Sequence, residues 1–127
     1  MNKKKFTLEY NFKKGSLSVL WNLVSTPLGL AEWFADKVLV SDNIYSFIWE
    51  KNTETAVVIQ TKQNSFIRMQ WEEDANTDYF FEMRIESQPI TGDIGLLVTD
   101  FAEDNEIEDA KLLWDHQIEN LRRKTGL

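Results

Sequence analysis

The 127-residue sequence predicts an α+β domain in which one antiparallel sheet of about seven strands curls around a long C-terminal helix. Three observations carry that prediction. A period-two run at the N-terminus precedes two short amphipathic segments broken at Thr26-Pro27. Short alternating runs separated by polar turns then extend from Lys37 to Phe101, and an apolar stripe at helical spacing follows them. None of these elements buries its apolar face alone, so the sheet must wrap the long helix. The length suits a single domain over 1–127.

In chain order, Phe6, Leu8, Tyr10 and Phe12 alternate with Thr7, Glu9 and Asn11, the pattern of a half-buried strand. Gly15 permits a turn, and Ser16 caps a helix whose Leu17, Leu20, Trp21 and Val24 recur at three and four. Thr26 and Pro27 form an N-cap and N1 pair, because proline at the first helical position loses no intrahelical bond. Leu30, Trp33 and Phe34 make that second helix amphipathic. Strands are expected over Lys37 to Ser41, Ile44 to Glu50, Thr55 to Lys62, Phe66 to Glu72, Asp78 to Ser87 and Asp93 to Phe101. Asp42-Asn43, Gln63-Asn64-Ser65 and Asp74 to Thr77 supply turns of an antiparallel meander. From about Ile107 to Lys124, Ile107, Ala110, Trp114, Ile118 and Leu121 share one stripe, with Asn105 and Glu108 spaced as a capping box. Such a helix is roughly 27 Å long.

Composition narrows the function classes. Five Trp, eight Phe and three Tyr in a chain that is 43% apolar supply a large aromatic interior, and five Gly with two Pro argue against a linker-rich chain. A net charge of -7 opposes wrapping a phosphate backbone, so nucleic acid is not an expected partner. Absence of cysteine removes disulfide and thiolate chemistry and suits a cytoplasmic location. Lys3-Lys4-Lys5 is followed by alternation rather than an apolar h-region, so neither a signal peptide nor stable membrane insertion is expected, and the lysines read as a solvated strand start. No motif calls for a metal or a cofactor.

The element order and the segment TPLGLAEWF resemble the START-like and polyketide-cyclase-like superfamily with its helix-grip fold, in particular the Aha1-type branch related to the Hsp90 ATPase activator. The C-terminal AKLLWDHQIENLRR is similar in position and patterning, and the resemblance extends to small START-like proteins of bacteria. One departure is the Ser41-Asp42-Asn43 tip, where Aha1-type relatives often carry Gly-Gly between the second and third strands. The resemblance implies an elongated cavity between the last helix and the concave sheet, and alternation nominates its walls. Tyr45, Phe47 and Trp49 share one face of a strand. Ile67, Met69 and Trp71 oppose Arg68, Gln70 and Glu72, and Phe81, Met83 and Ile85 oppose Glu82, Arg84 and Glu86. Leu30, Trp33 and Phe34 would gate entry, with Trp114 and Ile118 facing the cavity from the helix.

Several alternatives remain open at the level of residues. Leu96 and Val98 compete with Leu97 and Phe101 for the inward face of the last strand, so either Thr99 or Asp100 is its inward polar group. An inward Asp100 would have a raised pKa and act as an acid or ligand anchor; otherwise it is a solvated or backbone-bonded strand-end residue. Phe34, Trp49, Trp71 and Trp114 either line a ligand cavity or fill it. His116 lies across the helix from the Trp114 and Ile118 stripe, where no triad or metal site is built. The run Glu103 to Glu106 with Glu108 and Asp109 lacks the spacing of a calcium loop and suits a helix start, and Glu72-Glu73-Asp74 suits a solvated hairpin end. Three function classes follow: a module for a hydrophobic small molecule or lipid, a co-chaperone-like protein-binding module or homodimer using Ile48, Val58 or Phe80, and a cyclase- or hydratase-like enzyme using Asp100 and Tyr79.

Overall fold

The structure, a computed structural model, describes residues 2–13 and 15–127. Its elements are β1 (Lys4–Phe12), α1 (Leu17–Ser25), α2 (Pro27–Trp33), β2 (Lys37–Ser41), β3 (Ile44–Trp49), β4 (Asn52–Lys62), β5 (Phe66–Trp71), β6 (Phe81–Gln88), β7 (Asp93–Ala102) and α3 (Ile107–Thr125). They form one seven-stranded antiparallel sheet in the order β1-β7-β6-β5-β4-β3-β2, a meander from β2 to β7 with β1 added beside β7. The helix α3 packs on β1, β7 and α2, so the sheet grips it as the burial argument requires. Trp114, Ile118 and Leu121 are its buried residues, each worth about 1.5 to 3 kcal/mol of removed apolar surface.

The α1–α2 corner is closed by one threonine acting in both directions. The Thr26 hydroxyl donates to Asn22 O at 2.8 Å and accepts from Gly29 N at 2.9 Å, ending one helix and capping the next. Two more carbonyls at the end of α1 are satisfied from further away: Trp33 Nε1 donates to Leu23 O at 2.9 Å and Tyr45 Oη to Ser25 O at 2.7 Å. Burial raises the Tyr45 pKa, which keeps the phenol in its donating form. Gly29 permits this approach, since a Cβ there would lie 2.0 Å from Asn22 O.

Several expectations are corrected. Within α1, Leu17 is 38% exposed and Leu23 takes the buried place, because the corner rotates the stripe toward α2. The strand β4 begins at Asn52, ahead of Thr55, and β6 begins only at Phe81. Gln70 Nε2 donates to both Thr77 O and Tyr79 O, which holds the residues before Phe81 out of the ladder. The Asn105 and Glu108 capping box does not form: Asp104–Glu106 make a 3-10 turn, and Glu106 precedes α3 without a side-chain cap. Asp74 is buried and ion-paired to Lys3 at 2.9 Å, so the Glu72–Asp74 hairpin end and the lysine run are joined instead of separately solvated. Lys4 pairs with Asp104 at the start of the acidic run. Asp42, Asn64 and Asn76 adopt positive φ of 55°, 63° and 67° in the three expected turns, the work a glycine would otherwise do.

Candidate functional site

Inward alternation brings the rings of Phe47, Trp49, Trp71 and Phe81 together, facing Trp114 of α3. Phe34 stands at the centre, with ring centroids 5.0 Å from Phe47, 5.9 Å from Trp49, 6.2 Å from Phe81 and 5.8 Å from Trp114. Trp71 stacks on Phe81 at 4.8 Å. Phe47 and Phe81 join Leu30, Met69, Met83 and Ile118, all at most 1% exposed, in a filled core. Between α3 and the sheet, beside this filled core, lies a cleft of about 370 Å³. Of the residues nominated from sequence, Phe34, Trp49, Trp71, Asp100 and Trp114 line it. Trp33 borders an adjoining groove of about 330 Å³ that shares Phe34, Trp49 and Gln117 with the cleft and has exposed His116 on its rim.

The helix end at Phe34 is fixed by three hydrogen bonds from two elements, β3 and α3. Trp49 Nε1 and Gln117 Nε2 both donate to Phe34 O, at 3.0 and 3.4 Å, and Asn120 Nδ2 donates to Trp33 O at 3.2 Å. These satisfy carbonyls that the last turn of α2 leaves open and hold the cleft wall in place.

Asp100 is the inward polar group of β7, while Thr99 is buried on the outer face beside Glu82. Pairing with β1 and β6 decides this by turning Ile94, Leu96 and Val98 inward. Its Oδ2 accepts from Trp114 Nε1 at 2.9 Å and its Oδ1 from Phe101 N at 2.7 Å. Burial pushes the carboxyl above its ordinary range; those two bonds and the Lys3 charge pull it partway back, and Asp74 adds to the rise. The carboxyl carbon of Asp100 should therefore titrate with a midpoint above that of an ordinary aspartate in a carbon-13 NMR titration. The folded chain holds this proton more tightly than the unfolded chain. Its contribution to stability is thus full below the unfolded pKa and lost as pH rises through the folded one. A midpoint at or below the usual aspartate value would refute this account of the site.

Sequence reading missed Asn52, Glu54, Leu113 and Gln117, which complete the cleft. Glu54 pairs with Phe47 in register and so shares its face, and Asn52 Nδ2 donates to Glu54 Oε2 at 3.1 Å. Gln117 lies three residues after Trp114, on the same side of α3, a spacing visible in sequence. Tyr79 does not line the cleft; its hydroxyl accepts from Lys3 N at 3.0 Å and its ring packs on Phe101. The three residues nominated for an outer patch are not on one surface. Val58 pairs with Met69 and packs against the core, and Phe80 lies under Arg68, whereas Ile48 faces outward near exposed Leu39 and Ile44. Among the described residues no cluster of metal-ligating side chains occurs, and no helix is long and apolar enough to cross a membrane.

A family model described as a START-like superfamily domain matches residues 1–127. A protein from Bacteroides fragilis, solved by NMR in solution, is 41% identical over 97% of this chain and 91% of its own, with a TM-score of 0.71. The AHSA1-like protein from Aeromonas hydrophila is 13% identical over 97% of this chain and 92% of its own, with a TM-score of 0.76. The Aha1 dimer from Colwellia psychrerythraea is 12% identical over 95% and 98%, with a TM-score of 0.74. At those two lower identities the likeness is one of fold. No curated protein matches the chain.

Proposed function

The chain belongs to the START-like superfamily, and from that premise we propose that it binds a hydrophobic small molecule or lipid in the cleft between α3 and the sheet. The observation that carries this reading is the cleft itself, about 370 Å³ walled by Phe34, Trp49, Trp71 and Trp114 with a few polar groups at fixed positions. Small-molecule sites have that size and that mixture of apolar wall and sparse polar anchor. Because the interior behind the cleft is filled, the ligand would occupy the mouth of the grip and not its full length.

Native mass spectra of protein purified from cells, repeated after denaturing extraction, are expected to show a released apolar molecule. Trp71→Ala should then weaken that molecule's binding at least tenfold while lowering stability by less than the ~3 kcal/mol of a fully buried aromatic truncation. Unfolding of the variant, or unchanged affinity, would argue that Trp71 serves packing alone.

A protein-binding or homodimeric role is the second reading, supported by exposed Leu39 and Ile44 next to Ile48 on the outer face of β2 and β3. Sedimentation of the chain and of Leu39→Asp at increasing concentration tests it: association lost in the variant favours that surface, and a monomer throughout removes the homodimer.

A further inference from the structure

Resting on the small-molecule reading of the cleft, we propose that its ligand carries an organic ammonium group, held against the indoles and between the carboxylates of Glu54 and Asp100. Trp49, Trp114, Asn52 and Gln117 each turn an N–H to a protein acceptor: Phe34 O, Asp100 Oδ2, Glu54 Oε2 and Phe34 O respectively. The indoles of Trp49 and Trp114 therefore leave a guest only π surface, while Trp71 adds its ring face and, among the described residues, the one indole N–H of the lining that no protein group accepts. No lysine or arginine lines the cleft among the described residues. An anionic head such as a carboxylate or phosphate would meet two carboxylates with no cation to balance them.

The same lining is suited to a positive charge. Indole faces attract ammonium groups through the ring quadrupole, the more so where water is partly excluded. Lys3, whose charge acts on Asp100, is itself bonded to Asp74 at 2.9 Å, and Arg123 and Lys124 line the adjoining groove rather than the cleft. Glu54 and Trp71 also border a neighbouring depression with Glu72 and Glu73, which extends the negative potential outward from the cleft mouth. A chain of net charge -7 would draw a cation toward that mouth and repel an anion.

Three probes of similar size separate the possibilities: benzyltrimethylammonium, benzyl alcohol and benzoate. Each would be titrated into nitrogen-15-labelled protein while the indole N–H resonances of Trp49, Trp71 and Trp114 are followed. The ammonium should bind at least tenfold more tightly than the alcohol, and benzoate should bind most weakly. Glu54→Gln should lower ammonium affinity by roughly fivefold and leave the alcohol unchanged, with the rest of the spectrum intact as evidence of folding. If alcohol and ammonium bind equally, the cation preference is wrong and the apolar reading survives. Should benzoate bind best, the charge argument is reversed. If no probe shifts any of the three indoles, both the preference and the small-molecule reading fall.

Discussion

Phe34→Ala is expected to cost about 3 to 5 kcal/mol, among the largest losses available to a single truncation in this fold. The ring is 4% exposed and is in contact with Trp33, Phe47, Trp49, Phe81 and Trp114. Neighbours cannot all collapse into the space it leaves. Trp49 and Gln117 are tethered through the Phe34 carbonyl, a backbone atom the substitution keeps, so the wall stays in place around a void. That void would open into the cleft, placing water against Phe47 and Phe81. For a domain of this size the cost corresponds to a drop in Tm of roughly 10 to 20 °C. Urea unfolding followed by tryptophan fluorescence measures it, with Leu28→Ala at an 84% exposed site as the neutral comparison. A loss below about 1 kcal/mol would mean that the rings merely adjoin and do not hold the core together.

Much of this centre is legible in the sequence because alternation is a local signal. Tyr45, Phe47 and Trp49 are two apart, as are Ile67, Met69 and Trp71, and a strand must put each set on one face. The Thr26-Pro27 break is local too, since its chemistry lies in one hydroxyl and one missing N–H. What alternation cannot decide is volume. Four aromatic rings facing one space either fill it or frame it according to the curvature of the sheet, and here both occur: Phe47 and Phe81 fill, while Trp49 and Trp71 frame. Asp100 was ambiguous because Leu96, Leu97 and Val98 make β7 apolar on both faces, and only pairing to β1 and β6 fixes the sense. Glu54 was hidden for a different reason. A charged residue at a strand end reads as solvent-facing, yet its pairing with Phe47 carries it inward. The Asp74 and Lys3 pair joins residues 71 apart, beyond any local window.

The carboxylates of Glu54, which the sequence hid, and Asp100, which it nominated, change the character of the site. Without Glu54 and Asp100 the cleft would be a greasy notch between α3 and the strand ends. With them it becomes a place where apolar wall and negative charge meet, and where the N–H groups of Trp49 and Trp114 are already bonded to Phe34 O and Asp100.

Gly29→Ala should destabilise the chain by about 3 kcal/mol, the upper end for overpacking, although it adds a single methyl group. An ideal Cβ would lie 2.0 Å from Asn22 O and 2.7 Å from Leu23 Cα. Both are backbone atoms, so no side-chain rotation relieves the clash. Relief requires α1 and α2 to separate, which strains the Thr26 bonds to Asn22 O and Gly29 N and the Trp33 bond to Leu23 O. Because Trp33 is followed by Phe34, moving α2 displaces the aromatic centre, and the loss propagates to the cleft. Gly95 offers the contrast: a Cβ there would meet its nearest atom, Tyr10 O, at 3.6 Å, an ordinary contact. Gly95→Ala should be neutral or slightly stabilising, since alanine restricts the unfolded chain more than glycine does. Thermal unfolding of both variants by circular dichroism checks the pair. Equal Tm values for the two would show that the corner yields at little cost, and the account of α1 and α2 as a rigid support for Phe34 would then be withdrawn.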